Sequence, residues 1–354
     1  MFKSVTLVLQ FVMFACVASA QWAAQSSGTT VRLRGVSAGN SRLAWASGDK
    51  GTFARTTDGG RTWRAGVVPG AEGLDFRDVD AFGADTAYLL SIGAGESSRI
   101  YKTTDGGKTW ALQFVNKRPK AFFDAMAFWD ERHGVALSDP VDGRFLVIET
   151  TDGGRTWREL PRAGMPPARE GESAFAASGT CVAVWGRRHV WFGTGGPSGV
   201  RLFSSADGGR TWDARHVPLI FGEAAGVFSV VFRDRARGTI VGGNYTKEQD
   251  ARDNAAYTRD GGRTWRNPSG RRPGGYRSAV AYVRATGALV AVGPSGSDIS
   301  TDGGDSWTSL GAEGFHAVSF APAGRAGWAV GEGGRVAKYV GAMPSRGRTP
   351  RRRR

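Results

Sequence analysis

Asp124 and Glu172 are the carboxyl groups of this chain best placed for acid–base chemistry, since each stands at the entrance to an inner strand in adjacent repeat units. Two such groups flanking a glycosidic bond would serve as acid and as base or nucleophile, with Asp78 a competitor for either role. Without catalysis, the same region reads as a binding surface of Arg34, Arg77, Asp78, Asp124, Glu172, Tyr245, Arg277 and His316, charged groups converging on a concave face. A third reading joins these charges into a ring of salt bridges that plugs a channel, because unpaired buried charge is costly. Asp139 and Asp142, in S-D-P-V-D-G-R, suit turns, and Asn244, Tyr245 and Lys247 sit on a loop long enough to act as a lid.

The elements that must position these residues are announced by a repeat. T-T-D-G-G-R-T-W ends at Trp63 and at Trp157, T-T-D-G-G-K-T-W at Trp110, S-A-D-G-G-R-T-W at Trp212, T-R-D-G-G-R-T-W at Trp265 and S-T-D-G-G-D-S-W at Trp307. The spacings of 47, 47, 55, 53 and 42 residues fall in the range of a four-stranded propeller blade. Within the repeat, Asp58, Asp105, Asp152, Asp207, Asp260 and Asp302 suit a structural role, accepting hydrogen bonds from the turn backbone and from the following Thr or Ser hydroxyl. The Gly-Gly pair supplies the positive φ of a tight hairpin. The Trp begins the next strand and wedges between blades, with burial worth roughly 1.5–3 kcal/mol.

Six units end with Trp307, and G-F-H-A-V-S-F-A, G-W-A-V-G and R-V-A-K-Y-V then supply three more strands without a seventh box. An open edge there would invite pairing with another chain. Gln21-Trp22-Ala23-Ala24 resembles the missing T-W strand, so the expected fold is an all-β, seven-bladed propeller of four-stranded blades spanning 21–342, closed by the mature N-terminal strand. Strand alternation puts the boxes and the first-to-second loops on one face. The opposite face collects the entrances to the inner strands and the long irregular loops, where the candidate site residues converge.

Residues 1–20 combine an early Lys, an apolar run and the small-residue site Ala18-Ser19-Ala20, the pattern of a secretory signal too short to span a bilayer. The alternative processing is lipidation at Cys16. Export to the periplasm or the extracellular space is expected. Cys181 would then be alone in an apolar strand, where a lone Cys behaves as a small hydrophobe. The segment 343–354 reads as a disordered basic tail, a tether to anionic lipid. Without Lys3 and the six Arg of that tail the formal charge falls from +15 to +8, which still favours acidic partners, whether protein or anionic glycan. Nucleic acid is not expected, since no recognition motif accompanies the charge. His133, His189, His216 and His316 are scattered, without H-E-x-x-H or Cys-x-x-Cys, so no metal is expected. Nor is a cofactor, because the nucleotide-binding glycine motifs and the G-x-S-x-G elbow are missing. The chain is expected to work as a monomer.

The repeated S/T-x-D-x-G-x-T-W resembles the Asp-box of sialidases and related glycosidases. Six boxes behind a signal sequence resemble the photosystem II assembly and stability factor family. That resemblance implies a seven-bladed propeller acting without catalysis, as an assembly factor that binds membrane-protein subunits. The sialidase resemblance implies an arginine cluster against a substrate carboxylate, for which Arg34, Arg77 and Arg277 would stand, a Tyr nucleophile with a Glu partner, for which Tyr276 or Tyr245 would stand near them, and an Asp acid. Against it, V-R-L-R-G stands where that family has R-I-P, and a sialidase ring has six blades. Polysaccharide-cleaving relatives join two propellers, and this chain has one. The expected function is therefore partner binding at the channel-entrance face, with glycoside hydrolysis by Asp124 and Glu172 as the alternative.

Overall fold

A computed structural model describes residues 21–343. The expected leader, 1–20, and the basic tail beyond Met343 lie outside them. Met343, expected to begin the tail, is buried in the apolar cluster of the last blade with Trp22, Phe320 and Tyr339.

Seven antiparallel sheets of four strands form the ring. The first blade runs Leu33–Ala38, Ala44–Gly48, Thr52–Thr56 and Arg64–Val67, from the channel outward. In the seventh, Ala317–Phe320, Gly327–Val330 and Val336–Tyr339 are completed by Trp22–Gln25. The pairing registers Trp22 opposite Tyr339 and Gln25 opposite Val336, so the N-terminal strand closes the ring as expected.

Each box forms the same turn. In the first, the Thr56 hydroxyl donates to Asp58 Oδ1 at 3.0 Å and accepts the Gly60 N–H at 2.9 Å. Asp58 also accepts the Thr62 N–H at 2.9 Å and the Thr62 hydroxyl at 2.7 Å. Gly59 and Gly60 have φ of 84° and 83°, a conformation that L side chains rarely adopt. Hydrogen bonds from Thr62 hold the Asp58 carboxyl far below the usual carboxylate range, and bonds from Thr109, Thr156 and Thr211 leave Asp105, Asp152 and Asp207 at about 2, in Asp207 against an opposing effect of burial.

The box Trp side chains pack in the seams between blades. Trp63 lies with Trp328 of the seventh blade, Trp110 against Trp45 and Phe53 of the first, and Trp307 with Val241 of the fifth. A second link was not visible in the repeat itself. The carbonyl of the first box glycine accepts a hydrogen bond from the preceding blade: Gly59 from Lys338, Gly153 from Lys102, Gly261 from Trp191 and Gly303 from Thr239.

One blade departs from the pattern. In the fifth, the outer strand is reduced to a bridge between Tyr257 and Arg266, because Pro268 lacks the N–H a longer strand would need. The Asn267 amide instead donates to Ala255 O at 3.2 Å and Pro218 O at 2.6 Å. On its channel side this blade gains Gly195–Gly196, contributed by the fourth blade.

Candidate functional site

The channel-entrance face is built by a repeated irregularity of the inner strands. Pairing with the second strand slips between Leu33 and Gly35, between Phe76 and Asp78, between Phe123 and Ala125, and between Val227 and Ser229. The extra residues are Arg34, Arg77, Asp124 and Phe228. A β-bulge re-aims its extra side chain, and all four line one cavity of about 530 Å³ at the channel mouth.

Of the eight residues expected to bind, Arg34, Arg77, Asp124, Tyr245 and His316 line this cavity. Asp78, Glu172 and Arg277 are not among its lining residues. Asp78 follows the bulge and faces inward, accepting the Met126 N–H at 2.7 Å. Glu172 turns into the fourth blade, where its carboxylate takes Arg201 Nε at 2.8 Å, a second bond from Arg201 Nη2, the Thr194 hydroxyl at 2.6 Å and the Arg169 N–H at 2.9 Å. Burial alone would raise its pKa, but these donors hold it below the usual value. Arg277 is spent on Asp298 in the sixth blade, at 2.7 Å through Nε and 2.6 Å through Nη2. Asp124 and Glu172 therefore do not face each other across an open site, and the expected three-arginine cluster is short of Arg277.

Arg34 carries the electrostatics of the cavity. It is nine-tenths buried, and its Nη2 donates to the Ala177 carbonyl at 2.8 Å while Nε has no partner. No carboxylate among the described residues pairs with it at salt-bridge distance. Burial, reinforced by Arg77 and Arg32, pushes its pKa down to about 10. Arg77 reaches the Ala176 carbonyl at 2.7 Å and is balanced by Asp75 at 2.8 Å. Both arginines thus cross the channel to the segment before the fourth inner strand. The channel is spanned by guanidinium–carbonyl contacts, not by the ring of salt bridges.

The wall from the third blade is acidic, and burial raises the pKa of both its carboxyl groups. Asp124 is 1 % exposed with Oδ2 unpartnered, and burial, together with the Asp139 charge, raises its pKa well above the usual value. Burial pushes Asp139 up to about 6, although it accepts the Ala174 N–H at 2.8 Å. Asp139 is thus a member of the cavity, whereas Asp142, with φ of 53°, is a turn residue. His316 bonds Glu332 at 2.8 Å, yet burial and the nearby Arg34 lower its pKa to about 4. Cys181 is buried and free, and burial near Asp124 and Asp78 pushes its thiol up.

Aromatic rings form the remaining side. Phe175 stacks on Phe228 at 4.2 Å, and Phe228 meets Tyr276 edge-on at 4.8 Å. Tyr245 and Phe221, 48 % and 61 % exposed, extend apolar surface outward on this face. The expected lid is tied down: Asn244 Oδ1 accepts Thr246, and the Glu248 carbonyl accepts the Tyr276 N–H at 2.9 Å. Sequence reasoning missed Phe228 and Phe175. The signal was available in G-V-F-S, since that Phe stands in its inner strand where Arg34, Arg77 and Asp124 stand in theirs.

No protein-family model matches the chain, and no curated protein matches it by sequence. Its fold is shared with solved structures. A structure described as YCF48 bound to D1 peptide superposes with a TM-score of 0.63 at 16 % identity, over 91 % of this chain and 97 % of that one. YCF48 from Cyanidioschyzon merolae gives 0.62 at 17 % identity, over 90 % and 99 %. A chain of a mitotic checkpoint complex gives 0.60 at 8 % identity, over 97 % and 98 %. The resemblance at such identities is one of fold.

Proposed function

We propose that this chain is an exported, non-catalytic propeller that binds a protein partner at its channel-entrance face. The recognised element is an extended acidic segment: a carboxylate meets Arg34 and Arg77, and a neighbouring apolar side chain rests on Phe221 and Tyr245. The observation that carries this reading is Arg34, a nine-tenths buried guanidinium with a free Nε and no ion-pair partner among the described residues. A cation held that way is costly in the free protein, and a ligand carboxylate would supply the missing charge and acceptor. The reading is supported by the shared fold of the solved structure described as YCF48 bound to D1 peptide.

Hydrolysis is the weaker reading because Glu172 is consumed by Arg201, Thr194 and the Arg169 N–H, so the expected Asp124–Glu172 pair does not form. The test is an array of extended peptides of graded charge, probed with the full mature chain and with Arg34→Met/Arg77→Met. Preference for acidic peptides that disappears in the double variant supports the proposal. Equal binding by both proteins, or turnover of a glycan that Asp124→Asn abolishes, overturns it.

A further inference from the structure

We propose that the groove between the fourth and fifth blades, on the box face and away from the channel entrance, binds an anionic polysaccharide. Seven equivalent third-strand positions differ in one blade. The residue three places before the box Asp is Arg55, Lys102, Glu149, Tyr257 and Ile299 in the first, second, third, fifth and sixth blades, and Lys338, opposite Trp328, takes the place in the seventh. Each reaches toward the following blade: Arg55 donates to Ala84 O, Lys102 to Gly153 O at 3.0 Å and Lys338 to Gly59 O at 3.0 Å. Glu149 meets Arg210 at 3.7 Å, the Tyr257 hydroxyl bonds Asp305, and Ile299 packs in the cluster that includes Phe320.

In the fourth blade the residue is Ser204, opposite Trp191, the one short side chain of the seven. The seam there opens as a groove of about 760 Å³, lined by His189, Trp191, Ser204 and Thr211 of the fourth blade and by Arg235 and Arg263 of the fifth. That volume lies within the range of ligand pockets and has room for a few sugar rings.

Charge marks the same two blades independently. The loops between first and second strands share this face with the boxes. In the fourth and fifth blades these segments are 186–188, 206–210, 233–237 and 259–263, and they hold eight Arg against three Asp. The same segments of the other five blades hold seven cations against eight carboxylates. Arg259 lies over Tyr257 and beside Asp305 of the next blade, while Glu149 brings a carboxylate to Arg210. Around the groove that leaves seven Arg against four carboxylates, with every box Asp counted as ionised. Asp213, also in the groove, is matched by Arg215 at 2.6 Å. Arg233 and Arg237 share Asp234, but Arg187, Arg188, Arg235 and Arg263 are exposed and form no salt bridge among the described residues. Burial, reinforced by the Arg235 charge, lowers the pKa of His189, so that ring adds no charge at neutral pH.

The surroundings select among polyanions. The exposed large apolar side chains are Val67, Leu112, Phe221, Tyr245 and Val340, all outside these four segments. The patch therefore offers no apolar side chain to insert into a bilayer, no apolar centre for a protein interface and no exposed ring on which the bases of a single strand would stack. It offers unpaired guanidinium groups from separate turns beside a recessed groove that carries the Ser204 and Thr211 hydroxyls. Arg takes carboxylates in bidentate fashion, and a cleft lined by one sign of charge concentrates the opposite ion. The complement is a chain of sugars bearing carboxylates at regular intervals.

Calorimetric titration of the full mature chain at low salt with a galacturonic acid decasaccharide, and with its methyl ester as neutral counterpart, tests this. The wild type should bind the acid about tenfold or more tighter than the ester. Arg187→Gln/Arg188→Gln/Arg235→Gln/Arg263→Gln should weaken binding of the acid about tenfold or more. Arg42→Gln/Arg61→Gln/Lys108→Gln/Arg155→Gln removes as many charges from other blades of the same face and should change it less than about threefold. Ser204→Tyr copies the fifth blade without altering charge and should also weaken the acid. No binding by the wild type, equal affinity for acid and ester, equal losses in the two quadruple variants, or undiminished binding in a folded Ser204→Tyr would overturn the proposal. So would a loss confined to the first variant for a short DNA duplex or for phosphatidylglycerol vesicles, with the uronan unaffected. Should the first quadruple variant or Ser204→Tyr fail to fold, the other decides.

Discussion

The side-chain oxygen of Gln25 accepts the indole N–H of Trp63 at 3.0 Å. The same oxygen accepts Trp328 at 3.1 Å, while the Gln25 amide donates to Gly59 O at 3.2 Å. One side chain of the closing strand therefore joins the seventh blade to the first. Gln25→Ala leaves two indole donors unpaired, each costing about 1–3 kcal/mol when buried. A loss of about 2–4 kcal/mol in denaturant unfolding is expected, and an unchanged midpoint would show that water replaces the amide.

The box carboxylates make the fold acid-labile. Thr hydrogen bonds depress Asp105 and Asp152 to about 2, against about 3.9 for an unfolded Asp. A depressed acid stabilises the folded state above its unfolded pKa and loses that contribution as pH falls through the folded one. The contribution of the boxes should thus be steady above pH 4 and decline between pH 4 and 2. Asp152→Asn should lower the unfolding midpoint at pH 7 and make the acid decline shallower; a parallel decline would assign acid sensitivity to other groups.

Arg34 sets stability against binding. Its folded pKa lies below the unfolded value, so folding disfavours its charge at every pH below about 10, and the cost is relieved only above that value. Arg34→Met keeps an unbranched apolar stem and removes the charge. Replacing buried ions by apolar groups is often neutral or stabilising by 1–4 kcal/mol. The variant should be at least as stable as the wild type, gaining on the order of 1 kcal/mol, while losing acidic-peptide binding. A clear loss of stability would make the bond to Ala177 the dominant role of Arg34.

Asp139 predicts the pH dependence of the site. Burial raises its pKa to about 6, so the folded protein takes up a proton there between roughly pH 6 and 4, and folding loses the associated stability as pH rises through that window. Protonation makes the cavity more positive while carboxylates of a ligand stay charged to about pH 4. Acidic peptides should bind several-fold tighter at pH 5 than at pH 7, and Asp139→Asn should flatten that profile. Equal slopes in both proteins would exclude Asp139 as the responsible group.

How much of this was legible follows from the range of each interaction. The box is local, with Asp58 and Thr62 four residues apart, so its spelling disclosed the turn, the blade period and the place of each Trp. The closing strand was legible because Trp22 occupies the slot of a box Trp. The inner-strand entrances pointed to Arg34, Arg77, Asp124 and His316, which line one cavity. Glu172 and Arg277 were misplaced because their partners, Arg201 and Asp298, lie 29 and 21 residues away on other strands of the same blades. The bulges were hidden because register is a property of two paired strands, and a single strand's alternation does not reveal it.

The pairing of Trp22–Gln25 with Val336–Tyr339 also imposes an order of events. Trp22–Gln25 is synthesised before the three strands that need it, and Gln25 meets Trp328 across 303 residues of chain. Contacts of such separation form late, after the loop between them has been ordered. Until then Trp22 and the seventh-blade edge are both exposed, an open ring with a sticky seam. Closure of the ring is thereby coupled to synthesis of Val336–Tyr339, and a chain truncated before Val336 keeps an unsealed edge for chaperones and proteases to find.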